Sequence, residues 1–437
     1  MRRAALGARP RLMYEVFAKT RSVCPVCLGT IDAEKAVAGD GFVHLIKTCP
    51  EHGFFDTLIW EGGADEYLAW GGAAASPEPE DDCPRSCGLC GNHESAGCCV
   101  LLELTHRCDL RCPVCFASAG GEGDLTIDGV AALYDMLMER GGPYNIQLSG
   151  GEPTMRDDLP EIVRLGRERG FSFFQLNTNG LRLASEPDYA AALREAGVSC
   201  AFCSSTACAR RAMRRSRGRD ISAEKLRAID NCAAAGLPVV LVPTLAPGVN
   251  EDEIGGILRF ALARGKALRG VHFQPVSYFG RCALPEPARR LTIPASCGRS
   301  RPRRAGCCAG PTSAAAGPRA PGAASTPATA GCPAAGSRPC RGGRGPAAGP
   351  GRPGTSSPGA GASSRSRARM GTAFDRFMRE AVENTFTVSG MAFMDADSLE
   401  LDRLRRCHIS EADACRGMVP FCAYNLTARD GRALYRR

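Results

Sequence analysis

Three cysteines in the order C-x3-C-x2-C constrain this chain more than any other feature: Cys108, Cys112 and Cys115. They follow at once on the apolar run Cys99-Val100-Leu101-Leu102-Glu103-Leu104. A strand that ends in a tight loop of three thiols suits a metal centre far better than disulfides. Three protein ligands leave one coordination position open on a cluster. Zinc would need a fourth donor, and His106 is the nearby candidate.

The rest of the composition agrees with metal chemistry. The chain has 437 residues and 24 cysteines, with no recognisable export signal at Met1–Tyr14. That pattern points to ligands in a reducing, cytoplasmic setting. No run of 18 apolar residues is present to span a membrane. Cys200 and Cys232 read as buried packing thiols. The net charge of +9 would suggest nucleic acid. Its distribution argues otherwise: residues 297–369 hold 12 Arg and no Lys, Asp or Glu, and +9 without those 12 leaves −3 for the rest. The arginine-rich stretch also lacks the interleaved aromatics of a single-strand platform, so no nucleic-acid partner is expected.

Residues 11–72 carry Cys24-Pro-Val-Cys27 and Cys49-Pro-Glu-His52-Gly and read as a small β-rich metal knuckle. A Pro/Glu/Asp-rich linker follows, and residues 83–99 hold Cys83, Cys87, Cys90, His93, Cys98 and Cys99. Over residues 100–296, strand-type runs recur at Val100–Leu104, Asn145–Ser149, Phe171–Asn177, Ser199–Phe202, Val239–Thr244 and Val271–Val276. Helical periodicity lies between most of them. Thr126 is placed to cap one helix, Thr154 with Asp157 or Asp158 to start the next, and others read at Asp188–Ala196, Ser222–Ala235 and Glu251–Ala263. Six β-then-α units predict an α/β fold with a parallel sheet, a partial (β/α)6 TIM-like barrel with its chemistry at the C-terminal strand ends.

Residues 297–369 break the pattern, using only Ala, Cys, Gly, Pro, Arg, Ser and Thr. Such a stretch cannot bury a core and reads as disordered. All seven amino acids have codons with G or C at the second base, which also fits an out-of-frame reading of a GC-rich gene. Cys203–Ala212 shows the same alphabet on a small scale. Order-like sequence resumes in residues 370–437, a cysteine-bearing C-terminal region.

A second motif stands after the second strand of the array: Ser149-Gly150-Gly151-Glu152-Pro153. Its glycines let backbone approach a ligand, and Glu152 offers an acceptor for an ammonium. Together the two motifs resemble the radical S-adenosylmethionine (SAM) superfamily. The resemblance implies that Cys108, Cys112 and Cys115 hold a 4Fe–4S cluster whose open iron chelates SAM. It also implies that Gly150, Gly151 and Glu152 contact the methionine part of SAM, and that Asn177 and Asn179 lie near its ribose. In that superfamily one electron cleaves SAM to a 5′-deoxyadenosyl radical, which removes hydrogen from an unactivated C–H bond. An electron donor such as ferredoxin or flavodoxin is implied. Many members place an aromatic before the third cysteine; here Val114 stands there, with Phe116 after it to shield the cluster.

The segments "RCPVCFA", "LSGGEPTMRDDLP", "LVPTLAPGVN", "GVHFQPVSYFGR" and "PFCAYNLT" resemble one multi-cluster subfamily more narrowly. It includes archaeal tetraether lipid synthase and pterin (7,8-dihydro-6-hydroxymethylpterin) methyltransferases. This resemblance implies a rubredoxin-like site for one Fe or Zn at Cys24, Cys27 and Cys49, with His52 and Cys83 competing as fourth ligand. It implies an auxiliary 4Fe–4S cluster at Cys83, Cys87, Cys90 and Cys98, for which zinc is the alternative, and further cluster ligands at Cys407 and Cys422. Cys415 has no match, and Cys307, Cys308, Cys332 and Cys340 come with the biased alphabet. The implied activity is C–C coupling on lipid alkyl chains, with peripheral membrane contact. The alternatives are methylation of a small-molecule pterin, and a chain that binds clusters without turnover because its reading frame is broken.

Overall fold

The computed structural model describes residues 13–71, 83–88, 91, 93–204, 210–284, 290–300 and 385–436. Cys90 and nearly all of the 297–369 stretch lie outside them, and with them the disorder and reading-frame expectations for that stretch.

The N-terminal unit is a four-stranded antiparallel meander: β1 (Glu15–Val23), β2 (Thr30–Val37), β3 (Val43–Cys49) and β4 (Gly53–Trp60). The α1 helix (Ala64–Ala69) follows and turns Tyr67 onto Trp60, ring centroids 6.0 Å apart. Both cysteine-bearing turns, between β1 and β2 and between β3 and β4, fall at the same end of this sheet.

The array begins with β5 (Cys99–Glu103), the short β6 (Val114–Cys115) inside the cysteine loop, and α2 (Ile127–Glu139). Thr126 caps α2 as its sequence predicts, its side chain accepting a hydrogen bond from the Gly129 N–H. Next come β7 (Asn145–Ser149), α3 (Leu159–Glu168), β8 (Phe174–Thr178), α4 (Leu181–Ser185), α5 (Pro187–Ala196) and β9 (Cys200–Ser204). Then follow α6 (Arg210–Arg217), α7 (Ser222–Ala234), β10 (Val239–Val242), β11 (Thr244–Leu245), α8 (Ile254–Ala263), β12 (Leu268–Pro275), β13 (Arg281–Cys282) and α9 (Ile293–Ser300).

The six principal strands β5, β7, β8, β9, β10 and β12 lie side by side in chain order, all parallel. The C-terminal region extends this same sheet. β14 (Thr387–Gly390) pairs parallel with β12, β15 (Ile409–Asp413) pairs parallel with β5, and β16 (Gly417–Pro420) pairs antiparallel with β15. Among the described residues the two margins of the sheet do not pair, so it is open.

One sheet face is apolar. Val100, Leu102, Ile146, Leu148, Phe174, Leu176, Ala201, Val239, Leu241 and Val271 bury themselves against the helices. Cys232 joins that core at 1% exposure as expected, whereas Cys200 is only half-buried. Cys203 and Ala212, the ends of the stretch read as out of frame, are each 2% exposed. Cys203 pairs in register with Thr178 on β8 and Leu241 on β10. Both residues sit as ordinary core members, and 205–209 lie outside the described residues.

Several boundaries differ from the sequence reading. β12 begins at Leu268 rather than Val271, and α8 at Ile254 rather than Glu251. Two others differ for a visible reason. Phe171 precedes β8 and packs on Tyr134, 5.1 Å between ring centroids. Thr154 does not begin a helix: it sits in a 3-10 turn, Pro153–Met155, and α3 starts five residues later. Its hydroxyl and N–H are drawn off to the Glu152 carboxylate, at 2.7 and 3.1 Å.

Candidate metal and cofactor site

The loop of Cys108, Cys112 and Cys115 springs from the C-terminal end of β5, held from three sides. From below, the β7 turn presses against it. Gly151 N–H donates to Thr105 O at 2.7 Å and Glu152 N–H to Arg107 O at 2.8 Å. A Cβ on Gly151 would lie 2.2 Å from Arg107 O, and one on Gly150 (φ +130°) 2.4 Å from Thr105 O. The glycine pair is therefore needed for the approach of two backbones, before any ligand is considered. From the side, Arg281 of β13 pairs with Cys115, and its guanidinium donates to Cys112 O at 2.8 Å. From the third direction, Leu110 and Cys112 pack with Met213 and Ile221, and Arg217 Nη1 stands 3.8 Å from Cys112 Sγ.

Glu152 is fully buried and accepts four hydrogen bonds. Besides the two from Thr154, Thr178 Oγ1 donates at 2.7 Å and Asn179 N–H at 2.6 Å. Burial raises its pKa, while those donors pull it down. Its carboxylate thus knots the β7 turn to the end of β8. Asn179 in turn donates to Asp109, inside the cysteine loop, at 2.6 Å. Lys225, buried on α7, donates to Asn179 O. Asn177 lies elsewhere, on the opposite face of the sheet in a row of amides. Its amide N–H donates to Gln147 Oε1 at 3.0 Å, Gln175 donates to it at 2.7 Å, and Gln147 reaches Cys99 Sγ at 2.8 Å.

Burial pushes the Cys108 thiol up to about 12, so a bound metal must displace its proton. Cys112 is buried and the other two cysteines are half-buried, a soft, shielded donor set that fits an iron–sulfur cluster. Phe116 meets Phe421 edge-on at 5.5 Å and stays 38% exposed.

The N-terminal turns gather a different site. Ligand atoms of Cys24, Cys27, Cys49 and His52 all lie within 4.8 Å of one another. His52 Nδ1 is 3.4 Å from Cys49 Sγ and 3.7 Å from Cys24 Sγ. Three cysteines and one histidine make a closed, tetrahedral zinc set. The His52 ring draws the Cys49 thiol down to about 6, and burial raises Cys24. His52, not Cys83, brings its ligand atom within reach of the other three. Among the described residues no other three such ligand atoms come so close, so Cys108, Cys112 and Cys115 are not drawn onto a single ion.

Among the described residues, the other predicted ligands fall into the C-terminal layer. Cys83, Cys87 and Cys422 share one apolar cluster with Leu28, Met394 and Val419. Cys98 and Cys407 each help raise a thiol beside them, Cys98 that of Cys99 and of Cys407, and Cys407 that of Cys422, each after burial as the main cause. The two predicted sets are therefore interleaved. Asp109 and Arg281 lie within motif segments but the sequence assigns them no role there, and Arg217 and Lys225 carry no motif.

Comparison with known proteins follows this geometry closely. Residues 102–261 match the Radical SAM superfamily, and residues 16–61 match the HMPTM N-terminal zinc ribbon domain. The chain carries a radical SAM domain behind an N-terminal zinc ribbon. Its relatives include the 7,8-dihydro-6-hydroxymethylpterin dimethyltransferase of Methanocaldococcus jannaschii, 38% identical over 275 residues, or 60% of this chain and 54% of that protein. The GTP 3′,8-cyclase of Rhodopirellula baltica is 30% identical over 184 residues, or 40% of this chain and 50% of that protein. The chain spans about half the length of these curated relatives. Among solved structures, Streptococcus suis SuiB bound to S-adenosylmethionine aligns with a TM-score of 0.38 at 12% identity, covering 44% of each chain.

Proposed function

We propose that this chain is a radical SAM enzyme that methylates a small, polar, pterin-type ring. One observation carries the choice of substrate class: the sheet face opposite the helices carries a row of amides. Gln147, Gln175 and Asn177 line it from adjacent strands. An alkyl chain laid there would leave unpaired the N–H groups and lone pairs that these amides do not spend on one another or on Cys99. A heterocycle with its own N–H and C=O groups would meet them with hydrogen bonds. The name of the M. jannaschii relative points the same way, and the tetraether-type lipid reading falls to second place with its peripheral membrane contact.

In this reading Cys108, Cys112 and Cys115 hold a 4Fe–4S cluster, and bound SAM supplies the radical chemistry. Gly150 and Gly151 set the turn against the loop, and Glu152 positions both through Thr178 and Asn179. Asn179 serves SAM from beside the cysteine loop, through its bond to Asp109, and Asn177 serves the substrate from the amide row. Cys83, Cys87, Cys90, Cys98, Cys407 and Cys422 supply auxiliary cluster ligands, and a ferredoxin or flavodoxin delivers electrons. The open parallel sheet acts as a partial (β/α)6 barrel.

The test is anaerobic turnover of the reconstituted full chain with dithionite and SAM, with 7,8-dihydro-6-hydroxymethylpterin and a lipid with long alkyl chains offered separately. A methylated pterin detected by mass spectrometry, together with 5′-deoxyadenosine, is the expected result. A coupled lipid and an unchanged pterin would overturn it.

A further inference from the structure

Beyond the amide row, the polar face continues toward β12 and β14 in a pattern that suits one kind of ligand. Phe202 on β9 stands directly opposite Asn177 on β8 and opposite Val240 on β10. Val240 in turn pairs with Gly270 on β12, which has no side chain. Gly270 is required there by β14, because a Cβ would sit 2.4 Å from Thr387 O. The gap lets the ring of His272, two residues further along β12, come to 6.0 Å from the Phe202 ring at a 42° tilt. Ser389 on β14 pairs with His272 in register, and its Oγ lies 2.8 Å from Nδ1. That contact fixes the ring and leaves Nε2 as its other polar atom. Phe202 and His272 both keep part of their surface uncovered.

We infer that Phe202, His272 and Asn177 form a binding subsite for a flat heteroaromatic ring, a 2-amino-4-oxopteridine in the functional reading above, on which this inference rests. The aromatic pair offers a stacking surface, and stacking on an aromatic face favours any planar π-system. Asn177 spends one N–H on Gln147 and accepts one bond from Gln175, so a second N–H and a second lone pair remain for the edge of the ring. His272 Nε2 supplies a further polar contact. Burial pushes His272 down to about 4, so it meets the ligand as a neutral imidazole through the ordinary working range. A neutral partner suits an uncharged ring better than a cation, which would need its own counter-ion.

The experiment titrates the full-length protein with 7,8-dihydro-6-hydroxymethylpterin and follows the intrinsic fluorescence of the ligand. Wild type is compared with Phe202→Leu, which keeps apolar volume, and with His272→Asn and Ser389→Ala. Iron content and SAM cleavage in the absence of pterin report whether each variant keeps its fold and its cluster. The expected result is a Kd weakened about tenfold or more in Phe202→Leu and several-fold in His272→Asn and Ser389→Ala, with pterin-independent SAM cleavage within twofold of wild type. Wild-type binding left unchanged by the Phe202 and His272 substitutions would overturn the subsite alone. A wild type that binds no pterin would overturn the functional reading and the subsite with it. Loss of iron or of SAM cleavage in Phe202→Leu would also count against it, since the ring would then be needed to hold the cluster loop.

Discussion

Arg217 shows how one side chain would act on a cluster held by the cysteine loop without ligating it. Its Nη1 stands 3.8 Å from Cys112 Sγ, and Cys112 is 7% exposed among Leu110, Met213 and Ile221. In so apolar a pocket an N–H aimed at a thiolate is poorly screened by water. Reduction adds negative charge to a cluster, so this donor favours the reduced state and raises the potential. A hydrogen bond of about 0.5–1.5 kcal/mol corresponds to about 20–60 mV for a one-electron couple. Arg217→Met is expected to lower the cluster midpoint by that amount, with Arg217→Lys in between, in an EPR-monitored redox titration of reconstituted protein. A midpoint unmoved in both variants would show that the guanidinium only packs there. Glu152 teaches the complementary lesson. A side chain expected to meet a ligand also accepts four hydrogen bonds from the protein's own donors, and so holds the ends of β7 and β8 together.

Among the elements, the ribbon β1–β4 is the one whose stability is most directly tied to a metal. Its two turns bring Cys24, Cys27, Cys49 and His52 together, and in so small a sheet the binding free energy of zinc is folding free energy. Wild type is expected to retain one zinc per ribbon by elemental analysis. Cys49→Ser should lose it and exchange the amides of β1–β4 faster, by orders of magnitude, in a hydrogen-exchange experiment. Full zinc retention in that variant would remove Cys49 from the ligand set. These turns were legible in the sequence because C-x2-C and C-x2-H spacing is local. So were β7 and the start of α2, where periodicity and a threonine cap act over a few residues. The choice of His52 over Cys83 was not legible, since it depends on where the chain after the linker comes to rest. Thr154 was misread because a buried carboxylate recruits it, a contact that propensity does not register. Arg217 and Arg281 lie 105 and 169 residues from Cys112, and no spacing rule joins them to it.

At the scale of the whole molecule, the ribbon and the C-terminal region are joined by buried charge. Lys35 on β2 is 0% exposed and pairs with Glu400 at 2.9 Å and Asp402 at 2.7 Å, while the Tyr67 hydroxyl donates to Glu400. Lys47 donates to Ala396 O at 2.7 Å, and the metal turn itself is gripped, with Arg429 N–H on Pro25 O at 2.9 Å and Arg432 on Val26 O at 3.1 Å. Burial pushes the Glu400 carboxyl up, but the charges of Lys35 and Arg403 and the Tyr67 hydroxyl outweigh it and bring it down to about 2. A carboxyl lowered on folding stabilises the folded state fully above its ordinary value near 4.5, and that contribution disappears as pH falls through about 2. Wild type should therefore lose stability steeply between pH 4.5 and 2. Lys35→Met leaves Glu400 with Arg403 as its remaining ion pair beside the Tyr67 hydroxyl, and Asp402 with Thr20 and the more distant Arg406. Breaking one side of a buried pair costs about 3–5 kcal/mol, so the variant should be weaker by that amount at neutral pH. It should also show a shallower acid slope, because a Glu400 with less positive charge beside it has less pKa depression to lose. Urea unfolding at a series of pH values from 2 to 7 measures both. Parallel wild-type and Lys35→Met curves would mean that shape alone, not this charge network, holds the ribbon on the C-terminal layer.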